Sequence, residues 1–227
     1  PPASKADMKL IIVNKAGQAR ERVIEAWSTD DADMTRQMLE FQAPADVKGT
    51  RFLTISYDDP AKSDEQYLYS PALRKVRQIG TSGGDSKTGA FLGSDFTFAD
   101  LGSLEDKDYP AKLLGKETVD GTEYFKVEFT AANATVIKNY GYAKVIRWIN
   151  AANFTSWQSE YFDASGKAVK RSTIEGQRQV DGYWQFDRIV MNNLESGGKS
   201  VWEFTKSTNL KTIDDKYFTQ RYLERGR

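Results

Sequence analysis

The chain contains no cysteine and no histidine. Without cysteine, neither a disulfide framework nor a thiolate metal site can form. Without histidine, the commonest general base at neutral pH, the commonest metal ligand and the serine–histidine triad are all missing. Asp, Glu, Lys and Tyr remain able to carry acid–base chemistry, but no specific arrangement of them stands out. The glycine-rich residues 80–89 lack the Gly-Lys-Ser/Thr ending of a phosphate-cradling loop. Carboxylates are so frequent that Glu203 or Asp187 facing a cavity is weak evidence for glycoside hydrolysis. The expectation is a protein that is not an enzyme and uses no metal or cofactor.

Charge of one sign is also lacking. Lys plus Arg is 32 and Asp plus Glu is 32, a formal net charge of zero, so the basic footprint of a nucleic-acid binder is absent. Long apolar runs are missing too. Leu10-Ile11-Ile12-Val13 is of strand size, far short of a membrane-spanning helix. The chain opens at Pro1-Pro2 with neither methionine nor a leader. Removal of a signal peptide and simple trimming would both leave that start. The acidic residues 30–33 lack the oxygen spacing of a calcium loop and read as a solvated turn. Arg74, Lys75 and Arg77 read first as a solvated strand face that discourages edge pairing, and otherwise as a contact for an anionic head group or an acidic partner.

Aromatics, by contrast, are plentiful: 11 Tyr, 12 Phe and 5 Trp. They sit in runs that alternate apolar with polar, as Phe125, Val127 and Phe129 do against Lys126 and Glu128. Turn residues separate the runs at Asp120-Gly121, 163–166, Asp181-Gly182 and 196–198. The pattern predicts about a dozen strands with only one-turn helices between them. Helical turns are expected near 43–50 and 214–218, an irregular stretch over 131–141, long strands over 167–180 and 183–194, and a polar end over 221–227. No break in composition separates two domains, so residues 1–227 are read as one mainly β domain, an antiparallel sheet that curls into an incomplete barrel.

The segment Phe91-Leu92-Gly93-Ser94-Asp95-Phe96-Thr97-Phe98-Ala99-Asp100-Leu101 is apolar and aromatic but follows a glycine-rich loop expected to be mobile. Ser94 or Asp95 is suited to cap a short helix, with residues 99–104 or their neighbours helical. Such a helix is marginal alone and must lean on apolar surface. It is either ordinary core plugging one end of the sheet or a lid over a greasy cavity. On the second reading, Phe91, Leu92, Phe96, Phe98 and Leu101 form the lid. The alternating strand residues Trp27, Met38, Leu53, Ile55, Trp148 and Trp202 then line the cavity.

Three segments, residues 41–50, 67–79 and 91–101, together with the ending 218–223, resemble the LolA-like outer-membrane lipoprotein-sorting superfamily, in the branch linked to exporters of large hydrophobic molecules. The likeness spans nearly the whole chain. It implies an open half-barrel whose apolar mouth is closed by short helices, as in LolA and LolB. It implies the periplasm of a Gram-negative bacterium, a removed signal peptide and carriage of acyl chains, not catalysis. The implied partners are an acyl lipid or lipoprotein, with an inner-membrane exporter or an outer-membrane acceptor, transient membrane contact and a monomeric carrier. Carriers of the superfamily latch their lid with an arginine, for which Arg22 and Arg36 are the candidates here. The alternative is a non-catalytic accessory or sensor module that grips a protein partner on its concave face.

Overall fold

The computed structural model describes residues 1–59, 61–80 and 86–226. The mobility expected of the glycine-rich loop falls mainly on residues 81–85, which lie outside the described ones. The chain runs β1 (Ala3–Val13), β2 (Ala19–Asp30), β3 (Met34–Ala43), β4 (Arg51–Tyr57), β5 (Glu65–Ser70) and β6 (Lys75–Gln78). Two 3-10 turns follow, Phe91–Gly93 and Ala99–Leu101. Then come β7 (Ala111–Val119), β8 (Thr122–Thr130), α1 (Ala134–Tyr140), β9 (Lys144–Asn150), β10 (Ser156–Phe162) and β11 (Ala168–Glu175). A small hairpin of β12 (Arg178–Val180) and β13 (Tyr183–Gln185) precedes β14 (Arg188–Asn193) and β15 (Lys199–Leu210). The chain ends with a 3-10 turn, Asp215–Phe218, and α2 (Gln220–Arg225).

Thirteen strands form one antiparallel sheet, in the order β6-β5-β4-β3-β2-β1-β15-β14-β11-β10-β9-β8-β7. The edges β6 and β7 are not paired with each other, so the sheet is an open half-barrel, as the alternating sequence predicts. Two turns set register as their sequence demands. Asp120 and Gly121 (φ 48° and 79°), like Asp181 and Gly182 (φ 52° and 80°), both hold positive φ. That is the backbone of the two-residue turn that fits strand twist.

Strand alternation gives the sheet two different apolar faces. On the inner face Leu10 pairs with Trp202, Ile24 with Phe41, Leu39 with Phe52 and Phe52 with Leu68. On the outer face Trp27 pairs with Met38, Met38 with Leu53 and Leu53 with Tyr67. The 91–101 segment covers the first set, and the C-terminal turn and α2 cover the second.

Several local expectations are corrected. Residues 44–49 form turns, not a one-turn helix. The irregular stretch contains α1, whose first turn is capped by the Asn133 side chain accepting from the N–H groups of Thr135 and Val136 at 3.0 and 3.1 Å. The two long strands break at Gly176, which holds φ 69° with the Asp187 side chain filling the space a Cβ would need. The polar end is in fact amphipathic, because α2 buries Tyr222 and Leu223.

Candidate functional site

The 91–101 segment folds on itself before it meets the sheet. Phe91 N–H donates to Phe96 O at 2.7 Å, Phe98 N–H to Gly89 O at 3.1 Å, and the Ser94 hydroxyl to Phe91 O at 2.8 Å. The expected capping roles of Ser94 and Asp95 are not taken. The Ala99–Leu101 turn has no side-chain cap, and Asp95 accepts instead from Ser200 Oγ at 2.7 Å and Asn193 Nδ2 at 3.1 Å. These bonds tie the loop to β14 and β15. On the far side, Gln66 Nε2 of β5 donates to Phe98 O at 2.9 Å. The loop therefore straddles the inner face from β5 to β15.

Its aromatic side chains join those of the strands. Phe91 lies 5.0 Å from Phe52, 6.0 Å from Phe41 and 6.1 Å from Trp202 between ring centroids. Phe98 lies 5.7 Å from Phe52, and Phe96 lies 5.9 Å from Trp202. Phe91, Phe96 and Phe98 are buried, while Leu92 and Leu101 are half-buried against the same cluster. Burying one such ring contributes about 1.5–3 kcal/mol, so the loop is held largely by the surface it covers.

The cover is not flush. Between loop and sheet lies a cavity of about 160 Å³, walled by Met8, Leu39, Phe96, Leu101, Met191 and Trp202. That is about the size of an engineered apolar cavity that takes up one benzene. The indole N–H of Trp202 is buried there with no acceptor among the described residues. A second cavity of about 130 Å³ lies under the β12–β13 hairpin and shares Met8, Gln37 and Phe204 with the first. A larger cleft of about 1070 Å³ is lined by side chains of both signs, among them Lys62, Asp64, Glu105 and Lys138. It offers no continuous apolar wall, so the smaller cavities are the better candidates for an apolar ligand.

One end of the 160 Å³ cavity is polar. Asp100, on the loop's second 3-10 turn, meets Lys170 Nζ of β11 at 3.0 Å, and both side chains are nearly inaccessible. Tyr142 donates to Asp100 Oδ1 at 2.8 Å and accepts from Lys170 Nζ at 2.9 Å. The Thr97 N–H donates to Asp100 Oδ2 at 2.7 Å. Burial, and then the Asp100 charge, push the Tyr142 phenol well above its ordinary range; the same two causes raise Tyr161 beside it. Lys170 and Asp100 carried no signal as a pair in sequence. They are 70 positions apart, and Lys170 stands in an alternating strand where a lysine reads as solvated.

The structure brings together only part of the residue set named from sequence. Phe91, Leu92, Phe96, Phe98, Leu101 and Trp202 share the inner face. Trp27, Met38, Leu53 and Ile55 lie on the outer face, packed under Phe218, Tyr222 and Leu223. Trp148 donates to Glu117 at 3.0 Å and pairs with Lys126 across β8, in register with the outer face. Alternation shows that a residue points to one side, not which side. Arg36 does act as a latch, but for the C-terminal segment. It meets Asp31 at 2.7 Å and Asp215 at 2.9 Å and lies over the Phe218 ring. Arg22 is half-buried opposite Leu10 on the inner face, its Nη1 without a hydrogen-bond partner among the described residues; desolvation lowers its pKa against the pull of Asp46. Lys170 joins Gln66, Asn193 and Ser200 in tying the loop to the sheet.

A family model described as an uncharacterized protein matches residues 33–225. The chain belongs to this family. It also has the LolA-superfamily fold. An outer membrane lipoprotein-sorting protein domain from Vibrio parahaemolyticus is 29% identical, over 98% of this chain and 92% of that one, with a TM-score of 0.87. A DUF1329 family protein from Desulfovibrio piger is 25% identical, over 98% and 91%, also with a TM-score of 0.87. A LolA superfamily protein from Nitrosomonas europaea matches in fold at 21% identity, over 97% and 91%, with a TM-score of 0.72. No curated protein matches the sequence. The chain thus shares its fold with a protein domain described as outer-membrane lipoprotein-sorting.

Proposed function

We propose that the protein, as one domain over residues 1–227, carries the acyl chains of a lipid or lipoprotein on its inner face. In this reading it works in the periplasm of a Gram-negative bacterium and delivers its cargo to the outer membrane or an exporter. The observation that carries it is the aromatic loop seated on an open half-barrel with apolar space left beneath it. The resemblance in fold to a lipoprotein-sorting domain supports it.

The physics of such a carrier is a competition. The loop's Phe91, Phe96 and Phe98 cover apolar surface that would otherwise meet water, at a cost of roughly 25 cal/mol per Å². An acyl chain contributes about 0.8 kcal/mol per buried CH₂, so one long chain is enough to displace part of the loop. The cavities in the closed form are too small for a whole chain, and uptake therefore requires the loop to move. Release follows when the loop returns as an acceptor takes the chain. This cycle needs no bond-making step. The carrier acts as a monomer with transient membrane contact.

The test is extraction and mass spectrometry of the purified protein, with titration of a fluorescent fatty-acid probe. Copurified acyl lipid and saturable probe binding that shields the Trp202 emission are expected. An empty protein that takes up no probe would remove the carrier reading in favour of an accessory module that grips a protein partner.

A further inference from the structure

The body of the molecule and its loop divide the polar groups around the cavity unequally. The cavity wall carries Gln37, Tyr161 and Ser172 from the body and Asp100 from the loop. Behind Asp100 stand the Lys170 ammonium and the Tyr142 hydroxyl, both bonded to it. The Trp202 indole N–H is buried and unpaired among the described residues. Arg147 and Tyr142 share with Asp100 a small void of about 20 Å³ beside this cluster. Arg147 lies over the Phe129 ring and has no carboxylate partner among the described residues. Facing these cations, the carboxylate comes from the loop: Asp100, next to Leu101 and close in sequence to Phe96 and Phe98.

The loop therefore presents to the sheet what an amphiphile presents, an apolar body ending in a carboxylate. Lifting it would remove Asp100, and an apolar chain taking the loop's place would cover Lys170 again without a counter-charge. Breaking a buried ion pair in this way is strongly unfavourable. An incoming ligand that restores an anion at the same place removes that penalty, whereas a neutral one leaves it. Charge-assisted bonds from an ammonium and a hydroxyl to one carboxylate are the strong kind.

We infer that Lys170 and Tyr142 form the head-group site for an anionic single-chain amphiphile, with Asp100 as a built-in stand-in that the ligand's acid group replaces. This deepens the carrier reading and rests on it. The carboxylate of a fatty acid is the head group that Asp100 mimics. A phosphate monoester at the end of an acyl chain shares the chemistry and is separated by the test.

The experiment measures dissociation constants for dodecanoate, dodecanol and dodecyl phosphate by displacement of a fluorescent probe at pH 8, below micelle-forming concentrations. The proteins are the wild type, Asp100→Asn and the double variant Asp100→Asn/Lys170→Met. The double variant removes both charges together, so it does not bury an unpaired one. Wild-type protein should prefer dodecanoate to dodecanol by about tenfold or more, the ratio that one charge-assisted bond supplies. Asp100→Asn should widen that ratio, and the double variant should bring it to about one while still binding dodecanol. Dodecyl phosphate binding tighter than dodecanoate would assign the acid group to a phosphate monoester and leave the site in place. An unchanged ratio in the double variant, with chains still bound, would overturn the head-group site alone and leave the carrier reading standing. Failure of all three probes to bind any protein would overturn both.

Discussion

Phe91 of the loop and Phe52 of β4 meet with ring centroids 5.0 Å apart and planes inclined at 60°, deep in one aromatic cluster. The loop is thus core by burial and cover by position. Phe91 is fully buried at the centre of this cluster, whereas Phe96 lines the open cavity. The two residues should respond differently to truncation. Phe91→Ala should lower unfolding stability by about 3–5 kcal/mol, in the range for a buried phenylalanine. Phe96→Ala should cost less, since it enlarges an existing void, and should leave binding of a fatty-acid probe intact or stronger. Urea melts and probe titrations of both variants check this. Equal losses, with probe binding abolished in both, would make the loop a plain core element.

The C-terminal helix is fastened by a second group. Arg51 donates to Glu40 Oε1 through Nε at 3.0 Å and Nη2 at 2.8 Å, and to Leu223 O at 3.3 Å, while Tyr222 donates to Glu40 Oε2 at 3.0 Å. Arg51→Met should destabilise by about 3–5 kcal/mol because it strands the half-buried Glu40. Adding Glu40→Gln to it should recover part of that loss. A double-mutant cycle by chemical denaturation gives the coupling, and additive losses would show that the pair is not what holds α2.

The helix α1 depends on its cap. Replacing Asn133 by Ala should cost about 1 kcal/mol, and Asn133→Asp should restore most of it. Because α1 positions Tyr140, whose ring meets that of Tyr109 at 5.3 Å, amide exchange should quicken across residues 137–141. Unchanged exchange there would show that packing of Tyr140, not the cap, keeps the helix.

Stability should fall in alkali. The side-chain hydrogen bond to Glu65 is the first cause that raises the Tyr67 phenol, to about 12. Burial is the leading cause for Tyr109, Tyr140, Tyr142 and Tyr222, which are also raised. In the unfolded chain these phenols ionise near pH 10. A raised folded pKa means that the native state holds protons the unfolded state has lost. The contribution is therefore complete below about pH 10 and is lost as pH climbs through the folded values. Denaturation midpoints measured between pH 9 and 12 should decline steadily. A flat profile would mean that the phenols titrate freely.

The sequence by itself determined the class and the pairing. Alternation of period two and positive-φ turns at Asp120-Gly121 and Asp181-Gly182 are local properties, and they carry strand positions and hairpin register without reference to the rest of the chain. The aromatic density of residues 91–101 likewise marked that segment as one that must cover apolar surface. Tertiary structure decided which face each residue reached. Trp27, Met38, Leu53 and Ile55 alternate as cleanly as Leu10, Ile24 and Phe41, yet they lie beneath α2 on the outer side. A strand has two equivalent sides until something covers one of them, and only the paths of the loop and the tail break that symmetry. The Lys170–Asp100 pair is of the same kind. Each residue alone reads as solvated, and closure of the loop over β11 takes both from water and makes them a site.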